Sequence, residues 1–130
     1  MKVLRSITLF IFCLLFIAST TAQDVISTIP SAIESGNASA ISKNFDRRVD
    51  ITINENADNY SSEQAEIILK GFLNKFASRS FSVVHKGNSP DGAQYIIGSL
   101  MTNSGNFRTY IYIKNSGGGN TIQEIRFEKE

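Results

Sequence analysis

The chain has 130 residues, 13 Lys+Arg against 12 Asp+Glu, 42% hydrophobic residues, one Cys and one His. One domain is expected, the near-neutral charge offers no footprint for nucleic acid, and a Cys/His zinc site cannot be built from one residue of each kind. Any acid–base role for imidazole falls on His85.

Lys2 and Arg5 precede an apolar run, Ile7 to Ala18, and the small residues Thr20-Thr21-Ala22 stand before Gln23. This is the three-part layout of a secretory signal peptide, with cleavage expected after Ala22. The apolar run is about a dozen residues, short of the ~17–25 that a membrane-spanning helix needs, so no stable membrane anchor is expected once it is removed. Cys13 sits in the middle of the run, not at its end where a lipoprotein would need it. Processing leaves residues 23–130 as a single domain of 108 residues with formal charge −1 and no cysteine. An exported protein, periplasmic or secreted, is expected, and its fold must stand on its hydrophobic core because no disulfide is available.

Residues 25 to 45 read as two short helices. Val25, Ile26, Ile29 and Ile33 mark one apolar stripe, with Pro30 near its start and Gly36 as its stop; Asn37 caps a second helix that contains Ile41. Val49, Ile51 and Ile53 alternate with Asp50 and Thr52, which predicts a half-buried strand, and the polar stretch Asn54 to Tyr60 reads as a loop. A longer helix starts at Ser61, with Gln64 three residues on as a capping box. Ala65, Ile68, Leu69, Phe72 and Phe76 form its buried stripe.

From Ser80 the period becomes two, and Gly/Asn/Ser-rich turns divide the chain into four strands near 80–86, 93–102, 107–114 and 121–128. Connections this short make antiparallel hairpins. A tight turn at Ser104-Gly105 predicts Leu100 opposite Thr109, Gly98 opposite Ile111 and Ile96 opposite Ile113. The first hairpin sets Val83 beside Ile96 and Phe81 beside Gly98, where a ring covers the gap that glycine leaves. Equal counting across the last hairpin would bury Glu124, so a one-residue offset is expected, taken up by a bulge at Gly117-Gly118-Gly119, with Ile125 opposite Ile111 and Phe127 opposite Thr109.

That register collects Phe81, Val83, Ile96, Leu100, Phe107, Ile111, Ile113, Ile125 and Phe127 on a helix-facing side. The other side carries Lys86, Tyr95, Ile97, Met101, Arg108, Tyr110, Tyr112, Lys114, Glu124, Arg126 and Glu128, with Arg108 opposite Glu128 and Tyr110 opposite Arg126. It is too aromatic for an ordinary wet face and too charged for a core.

The order α-α-β-α-β-β-β-β, the secretory start, and the stretches Ser61–Glu66, Phe81–Gly87, Tyr95–Leu100, Gly105–Tyr110 and Ile122–Lys129 resemble a family of small exported Bacteroidota proteins, a domain of unknown function. The resemblance spans essentially the whole processed chain. It implies an α+β fold of the nuclear-transport-factor-two-like, cystatin-like and SnoaL-like kind: N-terminal helices and one long helix packed on a curved, mainly antiparallel sheet, like a cone. No catalytic motif comes with these stretches.

The open end of such a cone often holds a small ligand. His85 and Gln94 are expected as neighbours on the helix-facing side, with Gln123 on the same face two strands along, and together they are the candidate ligand site. His85 is the single candidate base for an enzyme of the SnoaL or ketosteroid-isomerase kind; the blander reading is a strand-end histidine, solvated or bonded to a neighbour. Enzymes of this fold rely on a carboxylate, Tyr or His inside the cone, and the inner sheet face here offers no Asp or Glu. Tyr95, Arg108, Tyr110 and Tyr112 form the second candidate site, of the composition that interfaces enrich. Homodimerisation through the sheet, common in the superfamily, stands against a solvated face whose tyrosines pack across strands. The glycine run joins strand to strand and is not a phosphate cradle. No metal and no cofactor is expected, and the scarcity of reactive groups favours a non-enzymatic ligand-binding or protein-interaction module.

Overall fold

The computed structural model describes residues 24–115, 117 and 119–130; the expected signal peptide, residues 1–22, lies outside them. Helix α1 spans Val25–Glu34 and α2 spans Ala38–Ser42. Each begins on a short polar side chain that accepts an otherwise unpaired amide, Asp24 from Ile26 at 3.4 Å and Asn37 from Ala40 at 3.1 Å. Between them Gly36, at φ 68°, donates its N–H to Ile33 while Asn37 donates to Ala32, which closes the first helix as expected. Pro30 stands inside α1, not near its start.

Strand β1 runs Phe45–Ile53 with Val49 and Ile51 buried, as the alternation predicts. The stretch read as a loop is mostly a strand: β2, Asn56–Ser61, pairs antiparallel with β1 across a two-residue turn at Asn54-Glu55. An edge strand wet on both sides carries no hydrophobic alternation, so only its backbone pairing reveals it. Asn54 takes φ 54° in this turn, a conformation that asparagine tolerates better than most residues.

Helix α3, Ser62–Lys75, starts where expected, with the Ser61 hydroxyl accepting the Gln64 N–H at 3.3 Å. It buries Ala65, Leu69, Phe72 and Leu73, with Ile68 and Phe76 half-buried beside them. Strands β3 (Ser78–Asn88), β4 (Gln94–Thr102), β5 (Gly105–Asn115) and β6 (Asn120–Lys129) follow. They form one sheet in the order β2-β1-β6-β5-β4-β3, antiparallel throughout except between β1 and β6.

The last hairpin has the expected pairs, Ile111 with Ile125 and Thr109 with Phe127. It has a bulge within β6, where Gln123 is the extra residue between Glu124 and Ile122; the expected place, Gly117-Gly118-Gly119, includes Gly118, which lies outside the described residues. The β4–β5 hairpin is displaced by two residues from expectation: Leu100 faces Phe107, Gly98 faces Thr109 and Ile96 faces Ile111. Thr102 explains the shift. Its hydroxyl donates to the Gly105 carbonyl at 2.6 Å and accepts the Ser104 N–H at 3.1 Å, which fixes the turn at Asn103-Ser104. A two-residue slip keeps every side chain on its face, so the buried set survives.

In the β3–β4 hairpin Phe81 faces Leu100 and Val83 faces Gly98, again two residues from expectation. A bulge between Val83 and His85 then exchanges the faces of the residues beyond it. Val83, expected in the core, is 38% exposed at the sheet's edge. The core proper is the layer between the three helices and the sheet. There the Phe72 ring lies 4.2 Å from Phe127 and 5.1 Å from Phe107, centroid to centroid, among the aliphatic side chains of β4, β5 and β6.

Candidate binding surface on the open sheet face

The face turned away from the helices collects the polar and aromatic partners of the buried positions. Register alone sets Tyr95 opposite Tyr112, Ile97 opposite Tyr110, Tyr110 opposite Arg126 and Arg108 opposite Glu128. Both cross-strand pairs expected on this side, Arg108 with Glu128 and Tyr110 with Arg126, are present.

These side chains form a ladder across four strands. His85 on β3 meets Tyr95 on β4, its Nε2 3.1 Å from the phenol oxygen. The Tyr95 ring stacks diagonally with Tyr110 on β5, centroids 6.5 Å apart and planes 25° from parallel. The Arg126 guanidinium on β6 lies 5.8 Å from the Tyr110 ring centroid, and its Nε is ion-paired with Glu124. Cation–π and aromatic contacts of this kind hold flat groups at fixed spacing on a pleated surface. Burial, and then the Glu124 carboxylate, push the Tyr110 hydroxyl above the ordinary tyrosine value of 10.0, against the pull of Arg126, so the phenol stays a neutral donor.

Ile97 and Tyr110 lie with Arg108, Arg126, Glu124 and Glu128 around a groove of about 310 Å³. Among the described residues Arg108 and Glu128 have no ion-pair partner, although they stand opposite one another. The groove therefore offers an apolar floor flanked by an unengaged cation and an unengaged anion.

Of the interface residues expected from sequence, Tyr95, Arg108 and Tyr110 share this surface, and Tyr112 stands beside Tyr95, its hydroxyl 3.5 Å from the Asp91 carboxylate. The ligand set His85, Gln94 and Gln123 is not brought together. The bulge in β3 turns His85 onto the open face, where it is exposed, and gives Lys86 the pairing position opposite the buried Ile96. Gln94 occupies a helix-side position opposite Ile113, its Oε1 buried and without a partner among the described residues. Gln123 is the bulged residue of β6, and its amide donates to the Asp46 carboxylate at 3.2 Å. His85 thus does not stand on the helix-facing side as expected. Two participants escaped the sequence reading. Asp91, in the β3–β4 turn, folds over to meet Tyr112 and Lys114, and Asp46 engages Gln123 from a distant segment; no local pattern signals either contact. Among the described residues no three His, Cys, Asp or Glu side chains converge as a metal site requires.

A family model described as a domain of unknown function, DUF4783, matches residues 26–128. The chain is similar to the crystal structure of a DUF4783 family protein from Bacteroides uniformis, with 28% identity, a TM-score of 0.78, and coverage of 82% of this chain and 98% of that one. A DUF4783 family protein from Bacteroides ovatus is similar at 25% identity and a TM-score of 0.75, covering 78% and 92% respectively. An NTF2-like protein of unknown function from Cytophaga hutchinsonii shares the fold, with 11% identity, a TM-score of 0.60, and coverage of 86% and 94%. No curated protein matches the chain.

Proposed function

The chain belongs to the DUF4783 family and has an NTF2-like fold, and from that premise we propose that it is a non-enzymatic interaction module whose binding surface is the open sheet face. The observation that carries this reading is the ladder from Tyr95 through Tyr110 to Arg126 beside the Arg108/Glu128 groove. Tyr and Arg are the residues that anchor protein interfaces, because each buries a large flat area while keeping a polar handle satisfied.

The partner we propose for this face is a second copy. Two-fold pairing places one patch against itself, so the patch must be self-complementary. With two arginines and two glutamates around the groove, Arg108 of one copy can meet a carboxylate of the other while the tyrosines close over one another. The N-terminal charged, apolar and small-residue segments support export as the route by which the protein reaches its place of action. No helix among the described residues is long and apolar enough to cross a membrane.

Light scattering of the purified protein tests the surface. At high salt, Tyr110→Glu, which puts a charge into the centre of the face, is expected to shift a dimer to monomer with an unchanged circular dichroism spectrum. A wild-type protein that is already monomeric at high concentration disposes of self-association.

A further inference from the structure

The sheet does not close, and its two terminal strands, β2 and β3, are each paired on one side only. A bare edge presents a row of unpaired amides and carbonyls, ready to receive another strand. The two edges carry opposite charge. Between residues 78 and 88 the charged side chains are Arg79 and Lys86, both exposed, with His85 beside them and no carboxylate. Between residues 55 and 61 they are Glu55 and Asp58, both exposed, with no cation. Of the two arginines on the neighbouring β1, Arg48 is engaged by Asn59 through both its side-chain and its backbone oxygen, and Arg47 lies just beyond the paired stretch, which ends at Arg48 and Ser61. Apolar surface is also left open on the basic edge, where Val84 is 71% exposed and Val83 38%.

Edge lysines and bulges are the means by which sheets avoid joining one another. They work by repulsion, and repulsion depends on what approaches. A β3 edge meeting a second β3 edge opposes Arg79 and Lys86 to their own copies, and a β2 edge meeting β2 opposes carboxylate to carboxylate. Like charges directly across a strand pair destabilise it and opposite charges stabilise it. The charge pattern therefore disfavours both symmetric joints and favours the unsymmetric one. The strand directions agree with that joint. Following the pairings from β1 across β6, β5 and β4, β2 and β3 run the same way in the sheet, so a neighbouring copy in the same orientation sets its β2 parallel to β3.

We propose that copies of this chain associate edge to edge, β3 of one against β2 of the next, extending the sheet head to tail. Such a heterologous joint leaves one basic and one acidic edge free at the ends, so it propagates instead of stopping at a dimer. β2 has six residues, which limits each joint to a short ladder and makes association concentration-dependent. Because the attraction is between exposed charges, it weakens as salt shortens the Debye length.

The test is charge reversal in a Tyr110→Glu background, which removes any pairing through the open face, with sedimentation velocity at low salt as the readout. The parent is expected to at least double its average mass as concentration rises, and to return to monomer at high salt. Arg79→Glu with Lys86→Glu, or Glu55→Lys with Asp58→Lys, is expected to leave each protein monomeric when alone. Mixing the two, or combining all four reversals in one chain, is expected to restore association. The four side chains are exposed, and circular dichroism checks that each variant folds. A parent that stays monomeric at low salt overturns the proposal. So does association that survives reversal of one edge, or a fourfold variant that does not recover it. Arg79→Glu with Lys86→Glu in a chain that keeps Tyr110 blocks the edges and reports on the face alone, so failure of either surface is seen separately.

Discussion

The ring of Phe81 lies over Gly98 so closely that a Cβ at residue 98 would stand 2.9 Å from Cε2 of that ring and 2.8 Å from the Ser82 carbonyl oxygen. The ring fills the space that a side chain on β4 would otherwise occupy, from a position opposite Leu100, two residues along β3 from Gly98's own partner Val83. Gly98→Ala forces a shift of both ring and backbone. It is expected to cost about 1–3 kcal/mol, the range for overpacking a tight site, read as a lower urea midpoint with unchanged slope. Phe81→Leu combined with Gly98→Ala should recover part of the loss.

Asn54 joins the β1–β2 turn to β6, the other neighbour of β1 in the sheet. Its N–H donates to the Phe127 carbonyl at 2.7 Å, and its Oδ1 accepts the Lys129 N–H at 2.9 Å. Asn54→Ala loses the side-chain bond and strains a residue at φ 54°, and is expected to cost about 1–3 kcal/mol. Asn54→Gly relieves the strain without restoring the bond, so urea denaturation should rank wild type above Gly and Gly above Ala.

Phe72 is the ring on which Phe76, Phe107 and Phe127 converge, with centroids 4.2–5.2 Å away. Phe72→Ala leaves a cavity between α3 and the sheet, and the expected loss is about 3–5 kcal/mol, measured by thermal or denaturant unfolding.

The pH dependence of stability follows from Tyr110. Its folded value lies above the ordinary 10.0, mainly through burial and secondarily through Glu124. The contribution of this group is therefore complete below the unfolded value and is lost as pH rises through the folded one. From about pH 9 to about pH 11 the denaturation midpoint of wild type should fall more steeply than that of Tyr110→Phe; equal slopes would remove the assignment.

Much of this arrangement is legible in residues that must choose between water and core. The stripe of α3, the alternation of β1, and the pairing of Arg108 with Glu128 follow because a one-residue slip would bury a charge. The positions of His85 and Lys86 were not legible, because an edge strand exposed on both faces exerts no penalty on a bulge. The two-residue displacement of the β4–β5 hairpin was hidden for a related reason: it preserves inward and outward parity, and only the Thr102 hydroxyl decides it. β2 lacks apolar alternation altogether. The site shared this division. Tyr95, Arg108 and Tyr110 were placed on one surface by parity, whereas Asp91 reaches Tyr112 through a turn whose path no periodicity describes.

The parallel contact of β1 with β6 orders events in time as well as in space. Asp50 finds its neighbour at Glu124, so the chain between them must be made before the inner strand of the sheet can enter. A chain that ended at Asn115 would hold β1 and β5 with facing edges still vacant. The last hairpin is thus the step that converts two separate sheet fragments into one, and contacts so distant in sequence are the slow ones to form. Without β6, β1 and β5 share no ladder, and each of the two fragments keeps one more bare edge than the finished sheet allows.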